Sequence, residues 1–231
     1  MENLNTFDGR KRYPESNPDR WKQNYERIKS EGYVLLFAKQ LILQSQSYRV
    51  PVVNKGGKIE FMDADTCDLV IATGYDGMKG WFYDKHSLVA VKEDKKWGVI
   101  DARGKVVIPF NYTLIIPPIN SSLFAAQKWD NNGHGAWGVI DVEQNVVVPF
   151  SSDYSIIEGY DNGVCRVHSK DGTWAVFNEG GKEVVKFGEY DNILPIYDSG
   201  YPVVRMEKTI EEGKKIVKEI NKRALAGRVI V

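Results

Sequence analysis

One hexapeptide, repeated, constrains this chain more than anything else in it. Lys96-Trp97-Gly98-Val99-Ile100-Asp101 returns forty residues later as Ala136-Trp137-Gly138-Val139-Ile140-Asp141. Each copy leads through a turn into an apolar run that ends in Pro-Phe. These runs are Gly104-Lys105-Val106-Val107-Ile108-Pro109-Phe110 and Gln144-Asn145-Val146-Val147-Val148-Pro149-Phe150. A fixed period of this length is the signature of a repeat architecture, in which each unit buries its apolar face against its neighbours. Weaker copies flank the pair. Thr173-Trp174-Ala175-Val176-Phe177-Asn178 precedes Gly181-Lys182-Glu183-Val184-Val185-Lys186-Phe187, and Lys58-Ile59-Glu60-Phe61-Met62-Asp63 keeps the phase without Trp-Gly. A fifth copy, Lys218-Glu219-Ile220-Asn221 with Gly227-Arg228-Val229-Ile230-Val231, stops one strand short.

A second marker runs in register. Tyr75, Tyr112, Tyr154 and Tyr190 follow the apolar runs at separations of 37, 42 and 36 residues, and Tyr33 lies 42 before Tyr75. The segment at Tyr33 therefore reads as a detached last strand of a repeat. Within the best unit the pattern predicts strands at 88–92, 97–101, 105–110 and 112–116. All are rich in β-branched and aromatic residues and are punctuated by turn formers. The expected fold is all-β, a tandem series of short four-stranded antiparallel meanders. An open superhelical stack is preferred to a five-bladed propeller because the outer copies are frayed. The expected division is 1–47, an N-terminal helical cap and leading apolar strand, and 48–231, the repeat domain. Its units lie at about 48–84, 85–120, 121–162, 163–200 and 201–231.

Alternation puts Trp97 and Val99 on one face and Gly98 and Ile100 on the other, so both faces are apolar and both should be covered. The tryptophans are read as wedges that join one unit to the next. A glycine beside each one belongs where another backbone or a large ring comes close. Near the N-terminus, Asn17-Pro18-Asp19 starts a helix, Trp21, Tyr25 and Ile28 form its apolar stripe, and Gly32 stops it. This helix is expected to cap a sheet edge. At the C-terminus, 203–207 against 215–221 reads as a hairpin with Gly213 in its turn, in preference to a helix over 209–225.

These segments resemble the bacterial WG-repeat family, whose units carry Lys-Trp-Gly-hydrophobic-Ile-Asp, then Gly-Lys-hydrophobic-hydrophobic-Ile-Pro, then Tyr. Residues 85–120 and 121–162 match well, 163–200 match with Ala175 in place of glycine, and 48–84 and 201–231 match in hydrophobic phase. The resemblance implies a β-rich repeat protein used as an interaction or scaffold module. It brings no catalytic residues with it.

Composition narrows the function. The 31 basic and 31 acidic residues balance, whereas a nucleic-acid binder needs a cationic surface to release counterions. The start of the chain has no apolar signal region, and no run approaches the ~20 apolar residues of a membrane span, so a cytoplasmic location is expected. Two cysteines are too few for a disulfide scaffold. The histidines, His86, His134 and His168, make no metal-ligand spacing. Asp63-Ala64-Asp65 resembles half a calcium loop but lacks its glycine and closing glutamate. No cofactor or metal is expected, and no catalytic residue is assigned.

What remains is a surface. The unit at 121–162 has an extended first hairpin, Lys128 to Gly135, in which Trp129 is out of phase with the tryptophan stripe. Trp129, His134, Trp81 and Tyr83 are therefore the candidate partner-binding residues of a non-enzymatic module with a protein partner. The alternatives are carbohydrate or small-ligand binding through the same exposed aromatics, and a hydrolase built on Cys165 and His168. The last requires those two side chains to converge.

Overall fold

A computed structural model describes residues 18–37, 49–64, 66–82, 87–119, 121–161, 163–190, 192–194 and 203–205. The chain divides into two compact units, 1–111 and 112–231. Within the described residues the fold is all-β, with four antiparallel four-stranded sheets, one short helix and no closed barrel.

The first unit opens with helix α1 (Pro18–Ser30), followed by β1 (Val34–Leu35), β2 (Arg49–Val53), β3 (Ile59–Asp63) and β4 (Leu69–Tyr75), which form sheet I in that order. Sheet II follows as β5 (Gly77–Lys79), β6 (Leu88–Glu93), β7 (Lys96–Asp101) and β8 (Val106–Tyr112). Helix α1 stops as its sequence demands. Gly32 adopts φ +86°, its N–H bonds the Lys29 carbonyl, and Tyr33 N–H reaches back to Ile28. Ile28 is buried against Val50, Val52, Met62, Ala64 and Cys67, so the helix covers a face of sheet I rather than an edge. Between sheets I and II, Ile59, Phe61, Ile71 and Tyr75 pack on Val89, Val91, Ile100 and Ala102.

The second unit contains sheet III, made of β9 (Leu114–Ile116), β10 (Phe124–Trp129), β11 (Gly135–Ile140) and β12 (Val146–Ser151). Sheet IV is β13 (Tyr154–Ile157), β14 (Val164–Ser169), β15 (Trp174–Asn178) and β16 (Glu183–Val185), and a two-stranded ladder, sheet V, pairs β17 (Asn192–Leu194) with β18 (Val203–Arg205). Leu123, Ala125, Trp137, Val139 and Val148 of the sheet III region pack on Ile157, Cys165, Val167, Ala175 and Phe177 of sheet IV. The C-terminal hairpin-or-helix question at 206–231 lies outside the described residues.

The strands form where the sequence predicts them, but their grouping differs by one strand. The segment after each repeat tyrosine pairs forward: Leu114 lies opposite Gln127 and Ile116 opposite Ala125. Thr113 fixes this choice, with its N–H and its hydroxyl both donating to the Gln127 carbonyl. Each four-stranded sheet thus begins at or just after a repeat tyrosine, and sheets II and III end on the Pro-Phe run. By the same rule Val34–Leu35 is the first strand of sheet I, pairing with Val53 and Val52, and not the last strand of a missing repeat.

The reason for this phase is a three-layer contact that recurs in successive copies. In two copies the phenylalanine of the Pro-Phe run lies on the glycine of Trp-Gly and stacks on the repeat tyrosine that leads into its sheet; in the third, Phe187 stacks on Tyr154 in one cluster with Ala175. The ring centroids of Tyr75–Phe110, Tyr112–Phe150 and Tyr154–Phe187 are 6.1, 6.5 and 5.8 Å apart, with interplanar angles of 21°, 17° and 22°. A Cβ on Gly138 would stand 2.7 to 2.9 Å from the Phe150 ring, and one on Gly98 would stand 2.7 Å from the Ile108 carbonyl oxygen and 3.1 Å from Phe110. Gly138→Ala is accordingly expected to destabilise by about 1–3 kcal/mol through overpacking, read as a fall in the urea midpoint. In sheet I, Glu60 and Thr73 replace the glycine and phenylalanine together, and Tyr33 faces Glu60 there, its hydroxyl pKa raised by burial and then by that carboxylate.

The closing residue of the hexapeptide sets the turns. Asp101 Oδ1 accepts from the N–H groups of Arg103 and Lys105, and Asn178 Oδ1 from those of Gly180 and Lys182. Asn54, in the preceding β2–β3 turn, makes the same bonds with Gly56 and Lys58. A short side-chain acceptor that mimics a backbone turn is what Asp and Asn offer at this position.

Candidate functional site

The extended hairpin of sheet III is closed by this same turn, where the equivalent hairpin of sheet II closes tightly through Asp94 and Lys95. Trp129 pairs with Gly135 at the end of a ladder that runs from Phe124–Ile140 onward. Asp130 N–H bonds the His134 carbonyl at 2.7 Å, and Asp130 Oδ1 accepts from Asn132 N–H at 2.9 Å and His134 N–H at 2.8 Å. Gly133 takes the left-handed position at φ +77°. The backbone N–H of His134, with that of Asn132, holds the Asp130 carboxyl below its ordinary range. Trp129 and His134 therefore stand on an ordered tip and not on a slack loop. Trp129 is 61% exposed, and the His134 ring stands 3.7 Å from Asp130 Oδ2 with 65% of its side chain exposed.

The other two candidates differ. Trp81, in the first compact unit, is half-buried and packs on Phe37 at 4.9 Å beside the cluster around Ile28, so its ring is committed to the interior. Tyr83 lies outside the described residues, as does His86.

The repeat tryptophans occupy matched positions. Trp97 lies opposite Lys92, Trp137 opposite Gln127 and Trp174 opposite His168, each on the third strand of its sheet. Trp97 and Trp137 are buried. Trp174 is half-buried, with the His168 ring at 4.4 Å and the Arg166 guanidinium carbon at 4.4 Å from its own. Their common register and burial assign them to the framework. Trp137 shares the joint between sheets III and IV with the Tyr154–Phe187 stack, a partnership the tryptophan spacing did not reveal.

The hydrolase reading fails on geometry. Cys165 points into the core between sheets III and IV, and burial pushes its thiol up to about 12. His168, three residues on and facing the other way, has Nδ1 2.7 Å from Ser155 Oγ. The two side chains do not converge. Cys165 and Cys67, whose thiol is raised to about 11 by burial, are expected to resist iodoacetamide in the native protein at pH 8 and to react once it is unfolded. Mass spectrometry of labelled protein checks this. The acidic loop at Asp63 is also engaged: Oδ2 accepts from Arg49 Nη1 at 2.6 Å and Oδ1 from Thr66 N–H at 2.9 Å. Asp65 is outside the described residues. Among the described residues, no three His, Cys, Asp or Glu side chains gather as metal ligands, and no helix is long and apolar enough to cross a membrane.

Two buried arginines, unmarked by any motif of the repeat, clasp consecutive sheets. Arg49 of β2 donates from Nε to the Ala102 carbonyl at 3.0 Å while paired with Asp63. Arg166 of β14 donates to the Ile193 carbonyl of β17 and makes a two-pronged pair with Glu158, in which Nε reaches Oε2 at 2.7 Å. The available signal was an arginine set among apolar neighbours within a strand.

Family comparison addresses the register just described. The model of the WG containing repeat matches residues 97–132 and 137–174. Those two segments are WG repeats. Each matched WG repeat spans two sheets: residues 97–132 supply β7 and β8 of sheet II and β9 and β10 of sheet III, and residues 137–174 supply β11 and β12 of sheet III and β13 and β14 of sheet IV. The repeat written in the sequence is therefore offset by two strands from the sheet that it builds. No curated protein matches the chain. Among solved structures, the computationally designed Ika4 protein is similar at 18% identity over 57% of this chain and 86% of that one, with a TM-score of 0.36. HIRA(644-1017) is similar at 15% identity over 77% of this chain and 62% of that one, with a TM-score of 0.34.

Proposed function

We propose that this WG-repeat chain is a non-enzymatic interaction module whose β10–β11 tip docks a protein partner. The observation that carries the reading is Trp129, 61% exposed on a strand whose ladder holds it in place. Exposing an indole in water is unfavourable, and tryptophan is among the side chains that contribute most when a partner desolvates them. Holding the ring on a paired strand lowers the ordering entropy that binding would cost. His134 and the Asx-bonded backbone around Asp130 supply a polar rim.

A photo-crosslinking residue in place of Trp129, in the full chain and in its native cells, tests the proposal. The expected result is a discrete protein adduct that does not form from Val34, an exposed control residue in the first unit. Identical adducts from both positions, or none, would overturn it, as would saturable turnover of a substrate abolished by a single substitution. The second reading, carbohydrate binding, is favoured by the exposed Asn131 and Asn132, which follow Trp129 in the same tip. It predicts glycan-array binding that Trp129→Ala removes.

A further inference from the structure

The outer strands of the four sheets are repeat-equivalent, and one of them lacks the residue that blocks edge pairing. Val139 lies opposite Val148, Val176 opposite Val185 and Phe61 opposite Ile71. The next residue is then Pro149 in β12, Lys186 just past the end of β16 and Ala72 in β4, with Pro109 at the same place in β8. Proline removes a donor and lysine brings a charge, two of the ways in which natural sheets prevent a further strand from adding. The outer strands of sheets I, III and IV are all irregular against their neighbours, so bulging belongs to the unit and does not distinguish β4. The missing blocker does.

We propose that β4 is a self-association edge that pairs antiparallel with β4 of a second copy of this chain. Among the described residues β4 ends its sheet, with no strand beyond it. Its sequence, Leu69-Val70-Ile71-Ala72-Thr73-Gly74-Tyr75, carries no charge, and Leu69 and Val70 are 40% and 38% exposed beside an exposed Ala72 and Thr73. A two-fold axis at Ala72 sets these uncharged side chains against one another, so no like charges meet along the strand. The same axis brings Asp68 opposite Asp76. Lys58 Nζ lies 2.5 Å from Asp76, and Asp68 shares the Arg27 guanidinium with Glu31, at 3.4 Å from Nη2, so the charge at each end is reduced. A second copy satisfies all three conditions with a single surface. The proposal does not rest on the Trp129 reading.

Sedimentation of the purified full chain over a wide concentration range tests it, using Ala72→Pro and Ala72→Lys. Both substitutions import what sister strands carry at this position, so the sheet tolerates them; Ala72→Lys also serves if Ala72→Pro fails to fold. The expected result is a concentration-dependent dimer in the parent, at least about tenfold weaker in either variant, with Trp129→Ala leaving the dimer unchanged. A parent that stays monomeric throughout overturns the proposal, as does a dimer that both variants preserve. A monomeric chain whose photo-crosslinker at Val70 captures a different protein also overturns it, because the edge then has another occupant.

Discussion

Glu158→Ala is expected to cost about 3–5 kcal/mol, while Arg166→Met costs only about 1–2 kcal/mol, although the two residues form one ion pair. The asymmetry follows from burial. The Arg166 side chain is 4% exposed, whereas that of Glu158 is 37% exposed. Removing the carboxylate strands a guanidinium that cannot reach water, with only the Ile193 carbonyl and the Trp174 face left to it. The indole compensates in part, by roughly 0.5–2 kcal/mol. Removing the guanidinium leaves a glutamate that can turn to solvent, and methionine fills much of the vacated space. The lost bond to Ile193 then dominates, at about 1 kcal/mol. Urea denaturation of both variants measures the difference, and Glu158→Ala should melt roughly 10 °C below the parent. Equal losses would mean that the pair is wetter than its geometry indicates.

That ion pair was not legible in the sequence, and the reason is instructive beside what was. Trp97-Gly98 and Trp137-Gly138 announced the strands because a large ring and a missing side chain at period two leave little else for the segment to be. The Asp and Asn turns were legible for the same reason, since each carries its own local acceptor. A period, however, gives phase without an origin. Nothing in the spacing of Tyr112 from Phe110 says that Leu114–Ile116 pairs forward with β10, because that choice rests on Thr113 and on a stack with Phe150, forty residues downstream in round terms. Arg49 and Arg166 stayed hidden because a charged residue in a strand is ordinarily on a wet face, and only the next sheet makes these faces dry.

Exposure was legible at one candidate residue and not at another. Trp129 was singled out because it falls outside the tryptophan phase, and it stands exposed. Trp81 was singled out on the same ground, yet Phe37 and the Ile28 cluster occupy its ring. Local sequence separates a ring that does not belong to the repeat from one that does. Whether such a ring is wet depends on a helix and a leading strand some fifty residues earlier. The extra length at Lys128–Gly135 was also read as an irregularity, whereas the tip repeats the Asp101 turn bond for bond. The framework is thus preserved at the one place where the surface departs, which is the condition for a presented residue to be both exposed and fixed.

Gly181→Ala should be the most damaging glycine substitution in the second unit, and Gly172→Ala, at the equivalent turn position, should be mild. Both glycines close a turn in the left-handed region, at φ +72° and +90°. An alanine pays about 1–2 kcal/mol for that conformation at either site. The difference lies in the space around them. A Cβ at Gly172 meets nothing within 4 Å, so the conformational cost is the whole cost. A Cβ at Gly181 would stand 2.1 Å from the Val147 carbonyl oxygen and 3.0 Å from its carbon. Those are backbone atoms of β12, which is tied to β11, so relief requires the turn of sheet IV to lift away from sheet III. Adding an overpacking cost of roughly 1–3 kcal/mol gives about 2–5 kcal/mol in all, a large share of a marginal repeat array's stability. Paired urea titrations of the two variants, with hydrogen exchange at Val184 and Val185 to localise the opening, check it. Equal destabilisation at both positions would show that β12 does not approach the turn as closely as these distances state.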